Sequence, residues 1–105
     1  MSDLLKMANP AVGQAFDDLC EAINGNGVLE PKVKELVRLA CVVMDRSSNG
    51  VRLHTMKALQ EGASREEIIE TVLNCLPVAG IESVVSGYAA ALSTLETAEV
   101  VHHGR

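Results

Sequence analysis

Residues 29–62 read LEPKVKELVRLACVVMDRSSNGVRLHTMKALQEG, and this stretch decides the fold. Pro31 suits the first turn of a helix, where its missing N–H costs nothing. Wound at about 100° per residue, the segment gathers Leu36, Val37, Leu39, Ala40, Val42, Val43 and Met44 on a broad apolar arc. Lys34, Arg38, Cys41 and Asp45 fall in a narrow polar strip. Glu35 lies outside that strip, among apolar neighbours, and is the most informative residue in the stretch. A carboxylate in that position serves either chemistry or structure, since it can also reach water from the rim of an apolar face or pair with Lys32 or Arg38.

Beyond this helix, Asp45 to Gly50 supply a polar turn with a cap at Ser47 or Ser48, and a second helix runs to Glu61. Val51, Thr55, Ala58 and Leu59 make its inner face. His54 stands at the boundary with Lys57 and Glu61. A boundary histidine packs its ring while hydrogen-bonding at its edge, so a structural role stands beside a catalytic one. Gly62 is placed to end the helix in a left-handed conformation.

Working outward, the first eight residues read as a frayed lead-in. Asn9-Pro10 then caps a helix whose apolar positions are Val12, Ala15, Phe16, Leu19, Cys20 and Ile23, and Asn24-Gly25-Asn26-Gly27 ends it. Ser64 and Glu67 form a capping box, with Ile68, Ile69, Val72, Leu73, Leu76 and Val78 as the buried stripe that follows. Pro77 and Gly80 interrupt the chain before a last helix over 81–95. That helix is expected to bury Val84, Val85, Tyr88, Ala89, Leu92 and Leu95, with Ser83, Gly87, Ala90 and Ala91 keeping its other faces small. The remainder to Arg105 reads as partly frayed. The adjacent His102 and His103 diverge on a helix and lack a third ligand, so they make a weak metal motif.

The 105 residues limit the chain to one domain. Apolar residues are 48% of it, yet Phe16 and Tyr88 are its only aromatic residues, so the core is built from aliphatic side chains. A formal charge of −5 and the lack of any Lys/Arg stripe argue against nucleic acid and anionic membrane as partners. No stretch fits a transmembrane helix or a secretory signal. Cys20, Cys41 and Cys75 are three widely spaced thiols, read as reduced core residues of a cytoplasmic protein.

The ordered pieces KELVRLA, SSNGVRLH, KALQEGASREEIIETVLN and AGIESVVSGYAA, covering roughly 29–92, resemble the carboxymuconolactone decarboxylase and alkylhydroperoxidase-D-like superfamily. The resemblance implies an all-α fold of about five helices around a central antiparallel pair, and a homo-oligomer, often a trimer or hexamer. Glu35 and His54 match the proton-relay glutamate and histidine of that superfamily. In its peroxidase branch a Cys-x-x-Cys pair stands at the positions held here by Ser47 and Gly50. Neither residue carries a thiol, so thiol–disulfide exchange lacks its attacking and resolving groups. The decarboxylase branch retains the histidine and acts on small cyclic lactone carboxylates, but it commonly has an aromatic residue and a proline where this chain has Ile81-Glu82.

The leading expectation is therefore proton transfer or decarboxylation on a small organic acid, without a cofactor or metal. His54 acts as general acid or base, Glu35 orients or recharges it, and Ser47 binds substrate at the start of the His54 helix. The alternative is a non-catalytic oligomeric scaffold or small-molecule binding protein that kept the fold after losing its redox cysteines. Peroxidase activity is disfavoured.

Overall fold

The computed structural model describes residues 2–103, with side chains through residue 99, as seven helices. They are α1 (Ser2–Ala8), α2 (Pro10–Gly25), α3 (Pro31–Met44), α4 (Ser48–Gln60), α5 (Arg65–Leu73), α6 (Leu76–Ala79) and α7 (Ile81–His103). The five longer helices answer to the all-α expectation; α1 and α6 are short additions to it. Residues 2–8, expected to fray, are helical because α1 folds back on α2. The last helix continues past Leu95 to His103. The side chains of His102 and His103 lie outside those described.

The helix boundaries follow local chemistry. The Asn9 side chain accepts from the N–H groups of Ala11 and Val12 and so caps α2. Ser47 caps α4 by accepting from Gly50 N–H. The Ser64–Glu67 capping box forms in both directions. Helices α3 and α4 end alike. After α3, Arg46 N–H donates to Val43 O and Ser47 N–H to Val42 O; after α4, Gly62 N–H donates to Leu59 O and Ala63 N–H to Ala58 O. Both are Schellman endings, which need a left-handed residue just past the helix. Gly62 supplies it at φ 91°, and Arg46 supplies it at φ 57° against the preference of any residue with a Cβ. Arg46 is held there by its side chain, which donates from Nε to Ser83 Oγ at 3.0 Å on α7.

Helices α3, α4, α5 and α7 form the body. Leu39, Val43, Val51, Ile68 and Val72 are essentially fully buried in its core. Each such side chain stabilises the fold by about 1.5–3 kcal/mol relative to exposure. Helix α7 faces this core mainly with its small residues, and of the stripe expected from sequence only Val84 and Leu95 are buried. Ser83, Val84, Gly87, Ala90, Ala91, Thr94 and Leu95 point inward, whereas Val85 is exposed and Tyr88 is half-buried. Small residues win because α7 runs close to α3: a Cβ on Gly87 would lie 3.0 Å from both methyls of Val43. The stripe after Ser64 is likewise shorter than expected. Ile68 and Val72 are buried, but Leu73, Leu76 and Val78 are exposed, because α5 ends at Leu73 and the chain turns there into the short α6.

Helices α1 and α2 form an arm whose extensive packing is with each other. They meet at Gly13, where a Cβ would stand 2.7 Å from the backbone nitrogen of Lys6. The base of the arm is tied to the body by polar groups. Lys34 Nζ on α3 donates to the carbonyls of Ile23, Asn24 and Asn26 at 2.9–3.1 Å, neutralising the C-terminal end of α2. Among the described residues no helix is long and apolar enough to cross a membrane.

Candidate functional site

Glu35 has its side chain turned inward from the second turn of α3 and is only 7% exposed. A buried carboxylate requires partners, and both of its oxygens have one. Oε1 accepts from Arg38 Nη1 at 2.9 Å, one helical turn further along α3. Oε2 lies 2.9 Å from His54 Nδ1 on the antiparallel helix α4. The short α3–α4 turn brings the two helices side by side and so sets this register. An ionised carboxylate accepts but cannot donate, so Nδ1 carries the hydrogen opposite Glu35 and Nε2 is left for other chemistry. The second Arg38 nitrogen, Nη2, donates to Asn24 Oδ1 at 2.8 Å. The result is a continuous chain from Asn24 at the end of the arm, through Arg38 and Glu35, to His54.

His54 lines a cavity of about 480 Å³ between the arm and the body. Phe16, Cys20, Ile23 and Asn24 come from α2, and Arg38, Leu53, His54 and Lys57 form the facing wall. Its size lies within the range of small-ligand pockets. Asp17 also borders it, but Lys6 Nζ sits 2.7 Å from Asp17 Oδ2. The hydrogen bond from Lys6, and a second from Ser2, hold the Asp17 carboxyl below the usual carboxylate range. Glu35 borders a separate concavity of about 250 Å³ with Pro31, Lys34, Arg38 and Glu61. The carboxylate thus stands between that concavity and the imidazole.

Of the three residues singled out from sequence, the structure brings Glu35 and His54 together and leaves Ser47 apart. The Ser47 hydroxyl is occupied as the α4 cap, and Ser47 is not among the residues lining the His54 cavity. A substrate-binding role for it therefore finds no support in the geometry. Gly50, at the other position of the superfamily's cysteine pair, is closely enclosed. A Cβ there would lie 2.8 Å from Val42 Cγ1 and 2.8 Å from Ser47 Oγ.

The cysteines depart from the expectation of three core thiols. Cys75 is buried, and burial pushes its thiol up, with nearby Cys41 adding to the effect. Cys41 is exposed, and Cys20 is half-buried on the cavity wall. A further apolar groove of about 300 Å³ runs beside α3, bordered by Val37, Met44, Cys75 and Val78, and contains no acid–base pair.

Sequence reasoning offered Arg38 or Lys32 as a partner for Glu35, and the structure makes it Arg38, three residues on and hence on a neighbouring face. It missed Asn24 and Lys57 as members of the site. Asn24 had no usable signal: it reads as turn punctuation and reaches Arg38 through tertiary docking of the arm.

A sequence profile described as the carboxymuconolactone decarboxylase family matches residues 10–93. An uncharacterized protein of Cupriavidus necator is 35% identical over 68 residues, which make up 65% of this chain and 60% of that protein. The chain thus matches less than two thirds of that relative's length. The fold is similar to the crystal structure of an apo carboxymuconolactone decarboxylase family protein from Legionella pneumophila. That similarity has a TM-score of 0.79 at 26% identity and covers 90% of this chain and 84% of the other.

Proposed function

This chain belongs to the carboxymuconolactone decarboxylase family, and from that premise we propose that it performs acid–base chemistry on a small organic acid, proton transfer or decarboxylation, with His54 as the proton-transferring group. The observation that carries this reading is the 2.9 Å contact of Glu35 Oε2 with His54 Nδ1, which commits one ring nitrogen and leaves the other for the cavity that His54 lines. Imidazole exchanges protons near neutral pH. Neutral His54 takes a proton from carbon at Nε2, or imidazolium His54 delivers one to the carbanion left by loss of CO₂. Glu35 stabilises the imidazolium and, from its position beside the second concavity, gives a route by which His54 is recharged. Arg38, paired with Glu35 and Asn24, fixes the carboxylate rather than touching the reacting atoms.

Thiol peroxidase chemistry is disfavoured. Ser47 and Gly50 provide no thiol, and the space around Gly50 is taken by Val42. A non-catalytic binding role remains the second reading, favoured by the Ser47 hydroxyl being engaged as a helix cap while, among the described residues, Glu35 is the acid–base group hydrogen-bonded to His54. A screen of small lactones and oxo-acids on wild type and His54→Ala separates the two. Turnover that disappears in the folded variant supports the enzyme; turnover unchanged in it removes the mechanism.

Self-association is part of the same proposal. Val12, Leu19 and Ile23 on the arm, and Val37, Met44 and Val78 beside the apolar groove, are all exposed. That much apolar surface on one small chain favours burial against further copies. Light scattering at several concentrations tests it, and a persistent monomer overturns it.

A further inference from the structure

Arg38 and Lys57 put positive charge on one wall of the cavity beside His54, and among the described residues Lys57 is the one of the two without an ion-pair partner. Arg38 is engaged on both sides, by Glu35 Oε1 and by Asn24 Oδ1. His54 is engaged at Nδ1. Lys57 borders the same cavity and forms no ion pair with a described residue. It follows His54 by three residues on α4, so the two side chains are neighbours about one helical turn apart. Asp17 on the arm is already paired with Lys6 and would repel a second negative charge on a ligand. Phe16, Ile23 and Leu53 form the apolar part of the lining, beside Ser2, Cys20 and Asn24.

We propose that Lys57 is the specificity-determining residue of this site and that the ligand is a small monocarboxylate with an apolar body, its carboxylate on Lys57 and its body against Phe16, Ile23 and Leu53. The inference rests on the acid–base reading of His54 and narrows it. One cation without an ion-pair partner among the described residues matches one carboxylate. An ammonium group favours the charged carboxylate over its neutral products, so the carboxylate held by Lys57 is retained and the proton moves at a nearby carbon. For an unsaturated or oxo monocarboxylate the step balances within the substrate. His54 Nε2 takes the proton from a carbon adjacent to the unsaturation. The C–H electron pair shifts into the conjugated system, and the imidazolium returns the proton at its other end.

The test is a titration of the full chain with benzoate, benzamide and terephthalate, following the His54 ring by proton–nitrogen NMR in wild type, Lys57→Met and Lys57→Arg. Benzoate is expected to move the His54 resonances and to bind roughly tenfold more tightly than benzamide, as a charge-assisted contact implies. Lys57→Met is expected to erase that preference, Lys57→Arg to keep it, and terephthalate to bind no more tightly than benzoate. A preference that survives in Lys57→Met, or tighter binding of terephthalate, overturns the assignment of Lys57 while leaving His54 as the acid–base group. If no probe reaches the His54 ring, the ligand class is wrong. The acid–base reading fails separately, through unchanged turnover in His54→Ala.

Discussion

Two helical hairpins in this chain start from similar sequence patterns and reach different ends. The α3–α4 hairpin buries Leu39, Val43, Val51 and Thr55 almost completely. The α1–α2 arm buries only Gly13, and Val12, Leu19 and Ile23 remain 52%, 55% and 50% exposed. Amphipathic periodicity therefore specifies that a helix has an apolar face, and not that the same chain covers it. In the body the apolar face is covered by α5 and α7, so a carboxylate among it must find partners. On the arm, one edge of the helix closes a cavity and the rest is left for another surface. On the proposed function, the body holds the proton-transferring groups and the arm supplies a wall.

The largest expected effect tests that division directly. His54→Ala is expected to lower turnover by about 10²-fold or more, the usual contribution of a positioned acid or base. Phe16→Ala, on the arm wall, is expected to raise KM with little change in kcat. Steady-state kinetics on the substrate found by screening checks both, and equal losses of kcat would place chemistry on the arm as well.

Stability offers the next contrast. Leu39→Ala is expected to destabilise the fold by about 2–5 kcal/mol, as cavity-forming core substitutions do. Leu19→Ala, at a half-exposed arm position, is expected to stay within about 0.5 kcal/mol in the monomer. Denaturant midpoints at low protein concentration make the comparison. Repeating it at high concentration sharpens it, because a cost for Leu19→Ala that emerges only there locates the arm in an interface between copies.

How far the sequence could be read follows the same line. Asn9, Ser47, Ser64 and Gly62 act through neighbours a few residues away, and each takes the local role its residue type suggests. Glu35 could be picked out because a carboxylate on an apolar arc is anomalous within its own helix. The exposed Val85 and the inward Ala90 were misassigned because the choice of inner face on α7 depends on how closely α3 approaches. Arg46 carries no sequence signal for φ 57°; its conformation is imposed by the turn and by the bond to Ser83 on another helix. The arm wall of the cavity was hidden for the same reason, since Lys34 and Arg38 dock the arm through groups 8–14 residues away in the chain.

A smaller effect arises inside the body. The Thr55 hydroxyl is fully buried with no hydrogen-bond partner among the described residues. Thr55→Val keeps the branched shape and removes the unpaired group, so it is expected to stabilise the fold by about 1 kcal/mol. A lower denaturation midpoint in the variant would show that the hydroxyl is satisfied in solution.

The smallest effect compares the two regions through acid. Glu67 in the body has its carboxyl held below its ordinary range, first by the hydrogen bond from Ser64 N–H and then by Lys32. Asp17 on the arm is held down first by Lys6 and then by Ser2. A carboxyl whose folded pKa is depressed binds a proton more readily in the unfolded chain. Each group therefore contributes stability that is fully present above the unfolded value, near pH 4, and is lost as the pH falls through the folded one. Both groups are at the surface, so each contribution is small and weakened by salt. The regions are separable by site. Asp17→Asn is expected to flatten the acid dependence of amide exchange in α1 and α2 while leaving α5 unchanged. Glu67→Gln, which keeps a capping side chain, is expected to do the reverse. If Asp17→Asn altered protection in α5, the arm and body would open as one cooperative unit, and the polar ties from Lys34 and Arg38 would be strong enough to couple them.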